Sequence, residues 1–270
     1  ALTWAIAEIG GRWRRYLPLL AGASVAIVAV LTLCARRKTT FWHDSIPLWT
    51  SAVAFTSNNI VAQNNLGNAL LEKCRLDQAI GHFQEARCLK PLDAKAAFNL
   101  GNAFIEKGDL NHGIANLSEA VLLDPDYAEA QINLGGAFLK TGRVDEAIAH
   151  FQNALRTEPT QVAAWNDLGY AYLQQAAADK ATACFEKALQ LDPEQPVTQN
   201  NIANALMQRG KVEEAIAHYQ KALRFKPNYA EAEYNLGTAL AQKNNLDEAI
   251  AHFEKALQLN PDYSSAAYNI

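Results

Sequence analysis

The sequence predicts an all-α protein, a solenoid of short antiparallel helix pairs preceded by one transmembrane helix. Three observations predict it. Residues 60–263 divide into six rows of 34 residues, each row repeats the same small residues and closing proline, and residues 17–34 form a run of eighteen without a charge.

The rows span 60–93, 94–127, 128–161, 162–195, 196–229 and 230–263, and stacking them brings residues into columns. The eighth place holds Gly67, Gly101, Gly135, Gly169 and Gly237, with Ala203 departing; the tenth holds Ala69, Ala103, Ala137, Ala171, Ala205 and Ala239. The twentieth holds Ala79, Ala147, Ala181, Ala215 and Ala249, with Gly113 departing, and alanine fills the twenty-seventh in every row, from Ala86 to Ala256. The thirty-second place is Pro91, Pro125, Pro159, Pro193, Pro227 and Pro261, six of the nine prolines in the chain.

Each row explains itself as two helices. Small residues at the eighth and twentieth places let the paired backbones approach closely. The fifteenth place, Gly108, Gly142, Gly210 or Asn244, tolerates the left-handed conformation that ends a helix; Cys74 and Ala176 depart from it. Proline lacks an amide hydrogen, so the thirty-second place stops the second helix. Apolar residues at helical spacing, such as Ala79, Ile80, Phe83, Ala86 and Leu89, give each helix one buried face. One pair cannot bury that face alone, so the rows must stack.

The NLG at Asn99 to Gly101, the alanine columns and the closing prolines resemble the tetratricopeptide repeat (TPR) family over residues 60–263. The resemblance implies a right-handed TPR solenoid whose concave wall, lined by the first helix of each pair, receives peptides. Residues 264–270 read as the start of a seventh row, which predicts that the sequence is a piece of a longer protein.

In that wall the sixth place is Asn65, Asn99, Asn133, Asp167, Asn201 and Asn235, and the ninth includes Asn68, Asn102 and Asn204. A carboxamide both donates and accepts, so it can pair with an extended peptide backbone whatever the side chains. The column resembles the asparagine ladder in the TPR region of the O-linked N-acetylglucosamine transferase. Asn65, Asn68, Asn99, Asn102, Asn133, Asn201, Asn204 and Asn235 are therefore the expected peptide-binding residues. Asparagine near a helix start also bonds local backbone, which is the alternative reading of the same column. TPR proteins that clamp acidic chaperone tails need basic residues at the fifth place. Here it holds Asn64, Phe98, Ile132, Asn166, Asn200 and Tyr234, so that clamp is not expected.

The part before the rows reads differently. Residues 1–16 end in a basic and aromatic cluster, Arg12, Trp13, Arg14, Arg15 and Tyr16, and residues 17–34 carry the charge-free run, followed by Arg36, Arg37 and Lys38. That length and those flanks predict one membrane-spanning helix, hence a membrane protein. Three basic residues on each side leave its orientation undecided. Extending the frame backward makes residues 39–59 a degenerate half-repeat that caps the stack, with Ser45, Trp49, Ala52 and Phe55 on its buried face. The junction of Trp42, Asp44, Leu48, Trp49 and Asn64 to Gly67 resembles that of TPR-bearing membrane mannosyltransferase-like proteins. That likeness implies an alternative origin as the C-terminal part of a polytopic glycosyltransferase that presents acceptor protein.

A net charge of -4 gives no general attraction to nucleic acid, and no nucleic-acid partner is expected. Cys34, Cys74, Cys88 and Cys184 lack metal or redox spacing and read as small apolar fillers. His82, His150, His218 and His252 share the twenty-third place, yet packed helices set successive rows about 10 Å apart, too far for shared ligation of one ion. With no nucleophile, base and carboxylate set in view, no catalytic residue, metal or cofactor is expected in this chain. The expected function is a membrane-anchored scaffold that binds protein or peptide in extended conformation.

Overall fold

The computed structural model describes residues 45–269, and all regular structure among them is helical. The described part forms two compact units that meet in sequence between Leu89 and Lys90. In the first unit lie α1 (Ser45–Phe55), α2 (Ile60–Glu72) and α3 (Leu76–Leu89). In the second lie α4 (Ala94–Lys107), α5 (Leu110–Leu123), α6 (Ala128–Lys140), α7 (Val144–Thr157), α8 (Val162–Gln174), α9 (Ala178–Leu191), α10 (Pro196–Gln208), α11 (Val212–Phe225), α12 (Ala230–Gln242), α13 (Leu246–Leu259) and α14 (Ser264–Tyr268). Every first helix starts on the first residue of its row, so the 34-residue frame is the structural frame.

Helix ends follow from backbone chemistry. The second helices stop two residues before the column proline, because the residue just before proline is pushed out of helical conformation. Asp124, Asp192 and Asn260 show this directly, with φ near -140° and ψ of 92°, 99° and 95°. At the interhelical turn, Gly108, Gly142 and Gly210 have φ of 86°, 75° and 71°. Cys74, Ala176 and Asn244 adopt the same left-handed conformation at φ of 55°, 56° and 64°. The two departures in sequence are thus not departures in shape. A Cβ in this region costs about 1–2 kcal/mol, so Ala176→Gly is expected to raise stability by about 1 kcal/mol in urea denaturation.

The glycine column has a steric cause. A Cβ on Gly135 or Gly237 would lie 2.7 Å from the ring of Phe151 or Phe253, sixteen residues on in the partner helix. Gly67 and Gly169 face Phe83 and Phe185 in the same way, and Gly101 faces Leu117. Where the column holds Ala203, the partner is Tyr219, whose hydroxyl reaches Asn204 Oδ1 at 2.6 Å. These large side chains are fully or almost fully buried and, with the alanine columns, make the core.

Three expectations are altered or fall outside the described residues. The helix at Ser45–Phe55 packs on α2, but it buries no residue completely; Trp49 and Ala52 are half-buried, and Phe55 is 86% exposed. Cys74 and Cys88 are exposed, at a turn and near the end of α3, so among the described cysteines only Cys184 fills a core. The expected membrane helix at 17–34, the segment 1–16 and Cys34 lie outside the described residues. Among the described residues no helix is long and apolar enough to cross a membrane.

Candidate functional site

In the second unit the first helices of neighbouring rows approach one another, α4 to α6, α6 to α8, α8 to α10 and α10 to α12. The second helices make no comparable approach among the described residues. The first helices therefore share one wall. A cleft of about 310 Å³ opens on it, lined by Asn102, Ile105 and Glu106 of α4, Ile132, Asn133, Gly136 and Lys140 of α6, and Asp167 of α8. Three consecutive rows contribute, and each supplies a sixth- or ninth-place polar residue.

The eight expected binding residues do not form one uniform ladder. Asn133 is exposed and donates through Nδ2 to Asn102 Oδ1 at 2.9 Å, so these two amides already form a link between rows. Asn235 donates in the same manner to Asn200 Oδ1 at 3.0 Å, and buried Asn200 donates to Glu231 Oε1 at 3.1 Å. Asn204 is half-buried and accepts from Tyr219, while Asn201 is half-buried beside it. Asn99 is only 7% exposed, which withdraws it from an open wall. In the first unit, α2 carries Asn68 exposed and Asn65 half-buried. The structure thus brings together Asn102 and Asn133 with Asp167, a residue in the asparagine column that the expected set left out.

Burial pushes the Asp167 carboxyl up to about 6 from 3.8. A raised carboxyl pKa means that the folded chain binds this proton more tightly than the unfolded chain, so the group costs stability as pH rises from about 4 through 6. Asp167→Asn, which restores the column residue, is expected to be more stable than the parent by about 1–2 kcal/mol at pH 7. The difference should vanish at about pH 3, below both carboxyl pKa values, where the group is protonated in the folded and the unfolded chain; denaturation at the two pH values checks this. His82, His150 and His218 run the other way. Burial lowers each, so falling pH below 6.5 protonates the unfolded chain first and removes stability.

The histidine column has a local partner that periodicity alone does not reveal. His82 pairs with Gln63 at 2.7 Å, His150 with Gln131 at 2.6 Å, His218 with Gln199 at 2.7 Å and His252 with Glu233 at 2.6 Å. Each is a clasp between the fourth and twenty-third places of one row. Glu233 is fully buried and also faces Lys255 Nζ at 2.5 Å. The clue in the sequence is pairing: the twenty-third place is histidine only where the fourth is Gln or Glu, and the other two rows hold Ala97 with Asn116 and Trp165 with Cys184.

Comparison with known proteins agrees with the fold. Tetratricopeptide repeat models match residues 64–111, 98–161, 137–196 and 230–263, and a TPR repeat model matches 203–244. Among solved structures, a chain of the APC/C hetero-tetramer Cut9-Hcn1 superposes with a TM-score of 0.72 at 18% identity, covering 82% of this chain and 44% of that one. The chain thus spans less than half the length of that structure. PilF of Pseudomonas aeruginosa gives 0.67 at 21% identity, over 77% of this chain and 95% of that one. YrrB, described as a TPR protein with an unusual peptide-binding site, gives 0.55 at 24% identity, over 69% and 96%. At these identities the likeness is one of fold. No curated protein sequence matches the chain.

Proposed function

As the chain belongs to the tetratricopeptide repeat family, we propose that it is a protein-interaction scaffold that holds an extended peptide along the first helices of its rows. The observation that carries this reading is the cleft in which Asn102, Asn133 and Asp167, from three successive rows, surround the apolar floor of Ile105 and Ile132. Amides at the lip pair with backbone N–H and C=O, and the apolar floor takes a side chain. Asp167 adds a reason to look there, since a half-buried carboxylate kept in a column of asparagines lowers stability at neutral pH, a common cost of a binding site. YrrB supports the reading as a peptide-binding protein of this fold.

The test is a peptide selected by the parent chain from a displayed random library. The triple variant Asn102→Ala, Asn133→Ala and Asp167→Ala is expected to bind it about tenfold more weakly, with unchanged helical circular dichroism. Undiminished affinity in that variant would remove the cleft from the account.

Two finer readings accompany this proposal. The charge-free run of 17–34 between basic flanks supports anchoring of the scaffold in a membrane. The junction residues Trp42, Asp44, Leu48, Trp49 and Asn64 to Gly67 favour a second reading, in which the scaffold presents acceptor protein to a membrane glycosyltransferase. Protease treatment of sealed vesicles carrying the native protein separates them. Protection inside the vesicle favours the glycosyltransferase reading, and digestion from the cytoplasmic face opposes it.

A further inference from the structure

The fourth row of the chain breaks the repeat at three places that meet in space. At the fourth place, Trp165 stands where other rows have Gln63, Ala97, Gln131, Gln199 or Glu233. At the twenty-third, Cys184 replaces the histidine of four rows, and at the nineteenth, Lys180 replaces Glu146, Glu214 and Glu248 of three rows. The row has thus lost its polar clasp and reversed a charge. These three residues line one cavity of about 470 Å³ between α7, α8 and α9, together with Leu155, Leu168 and Arg156. It shares no lining residue with the cleft at Asn102 and Asn133.

Its chemistry is two-part. Leu155, Leu168 and Cys184 are buried and form an apolar floor, with half-buried Trp165 as one side. Arg156 and Lys180 are exposed at the rim, and no carboxylate lines the cavity. Arg156 only touches the limit of ion pairing with Asp126, at 4.0 Å, and the Lys180 ammonium lies 5.4 Å from the centre of the Tyr172 ring. Two cations over an apolar floor fit a ligand that combines an apolar side chain with a neighbouring carboxylate, because the floor gains from burial and the rim from charge-assisted bonds.

We infer that this cavity is a second binding site, which takes an acidic segment of a partner protein by inserting an aromatic or aliphatic side chain between Arg156 and Lys180. It stands independently of the cleft and of what the cleft binds.

The test uses the full chain and two fluorescein-labelled peptides, Asp-Phe-Asp-Leu-Asp-Phe-Asp and its counterpart with lysine in place of aspartate, read by fluorescence anisotropy at low salt. The acidic peptide should bind and the basic one should not. Lys180→Glu restores the sign found in the neighbouring rows, and Trp165→Gln with Cys184→His restores the clasp that Gln131 and His150 make at 2.6 Å, so both variants keep a native arrangement. Each should weaken the acidic peptide about tenfold or more. The triple variant at Asn102, Asn133 and Asp167 should leave it unchanged, which separates failure here from failure of the cleft. Absent binding of the acidic peptide, equal binding of the basic one, or affinity that survives both restoring variants would overturn the second site.

Discussion

Replacing Phe151 with alanine is expected to lower the stability of the chain by about 3–5 kcal/mol. The ring is fully buried, and it lies where a Cβ on Gly135 would be only 2.7 Å from it. Glycine and ring are therefore complementary halves of one contact, and the space left by the ring cannot be filled from the glycine side. Phe151 also belongs to a core that joins Leu134 and Phe138 of its own row to Leu117 of the row before and Leu168 of the row after. Rows of a solenoid are stable only through their neighbours, so the loss spreads beyond residues 128–161. Urea denaturation monitored at 222 nm measures it. A loss under about 1 kcal/mol would mean that the row is not packed as described.

The second large effect concerns binding. Gly136 lies at the ninth place of its row, lines the cleft, and has nothing within 4 Å of where its Cβ would be. Gly136→Trp should therefore fold normally while filling the cleft with an indole. A helical residue other than glycine is also favoured in the middle of α6. Affinity for the selected peptide is expected to fall about a hundredfold, because a blocked cleft loses both the floor and the lip amides. Isothermal titration against parent and variant reads this directly, and intact affinity would show that the peptide lies elsewhere.

The helices and turns are legible in the sequence, and the polar contacts of the wall are less so. Columns of glycine, alanine and proline marked helix starts, turns and close approaches correctly, since each acts through its own backbone or its own small size. Even Cys74 and Ala176, which lack the expected residue type, follow the turn, because the surrounding helices impose the left-handed conformation. What escaped the column view depends on partners far apart in sequence. The clasp between His150 and Gln131 spans nineteen residues and is visible only when two columns are compared. Asn99 and Asn133 occupy the same place in adjacent rows, yet one is buried and the other exposed. The ninth place predicts that Asn204 faces a ligand, yet its Oδ1 accepts from Tyr219, whose hydroxyl exists only in that row. Asp167 carries the reverse lesson. It is the exception in a column of asparagines, and burial raises its carboxyl toward neutral pH.

The most direct test of the central claim is photo-crosslinking of the selected peptide to chains that carry p-benzoylphenylalanine at Gly136 or, separately, at Gly81. Both positions have open space for a side chain; Gly136 lines the cleft on a first helix, and Gly81 lies exposed on a second helix. A peptide held along the first helices predicts strong crosslinking from position 136, abolished by excess unlabelled peptide, and none from position 81. Crosslinking from position 81 with none from 136 would contradict the account.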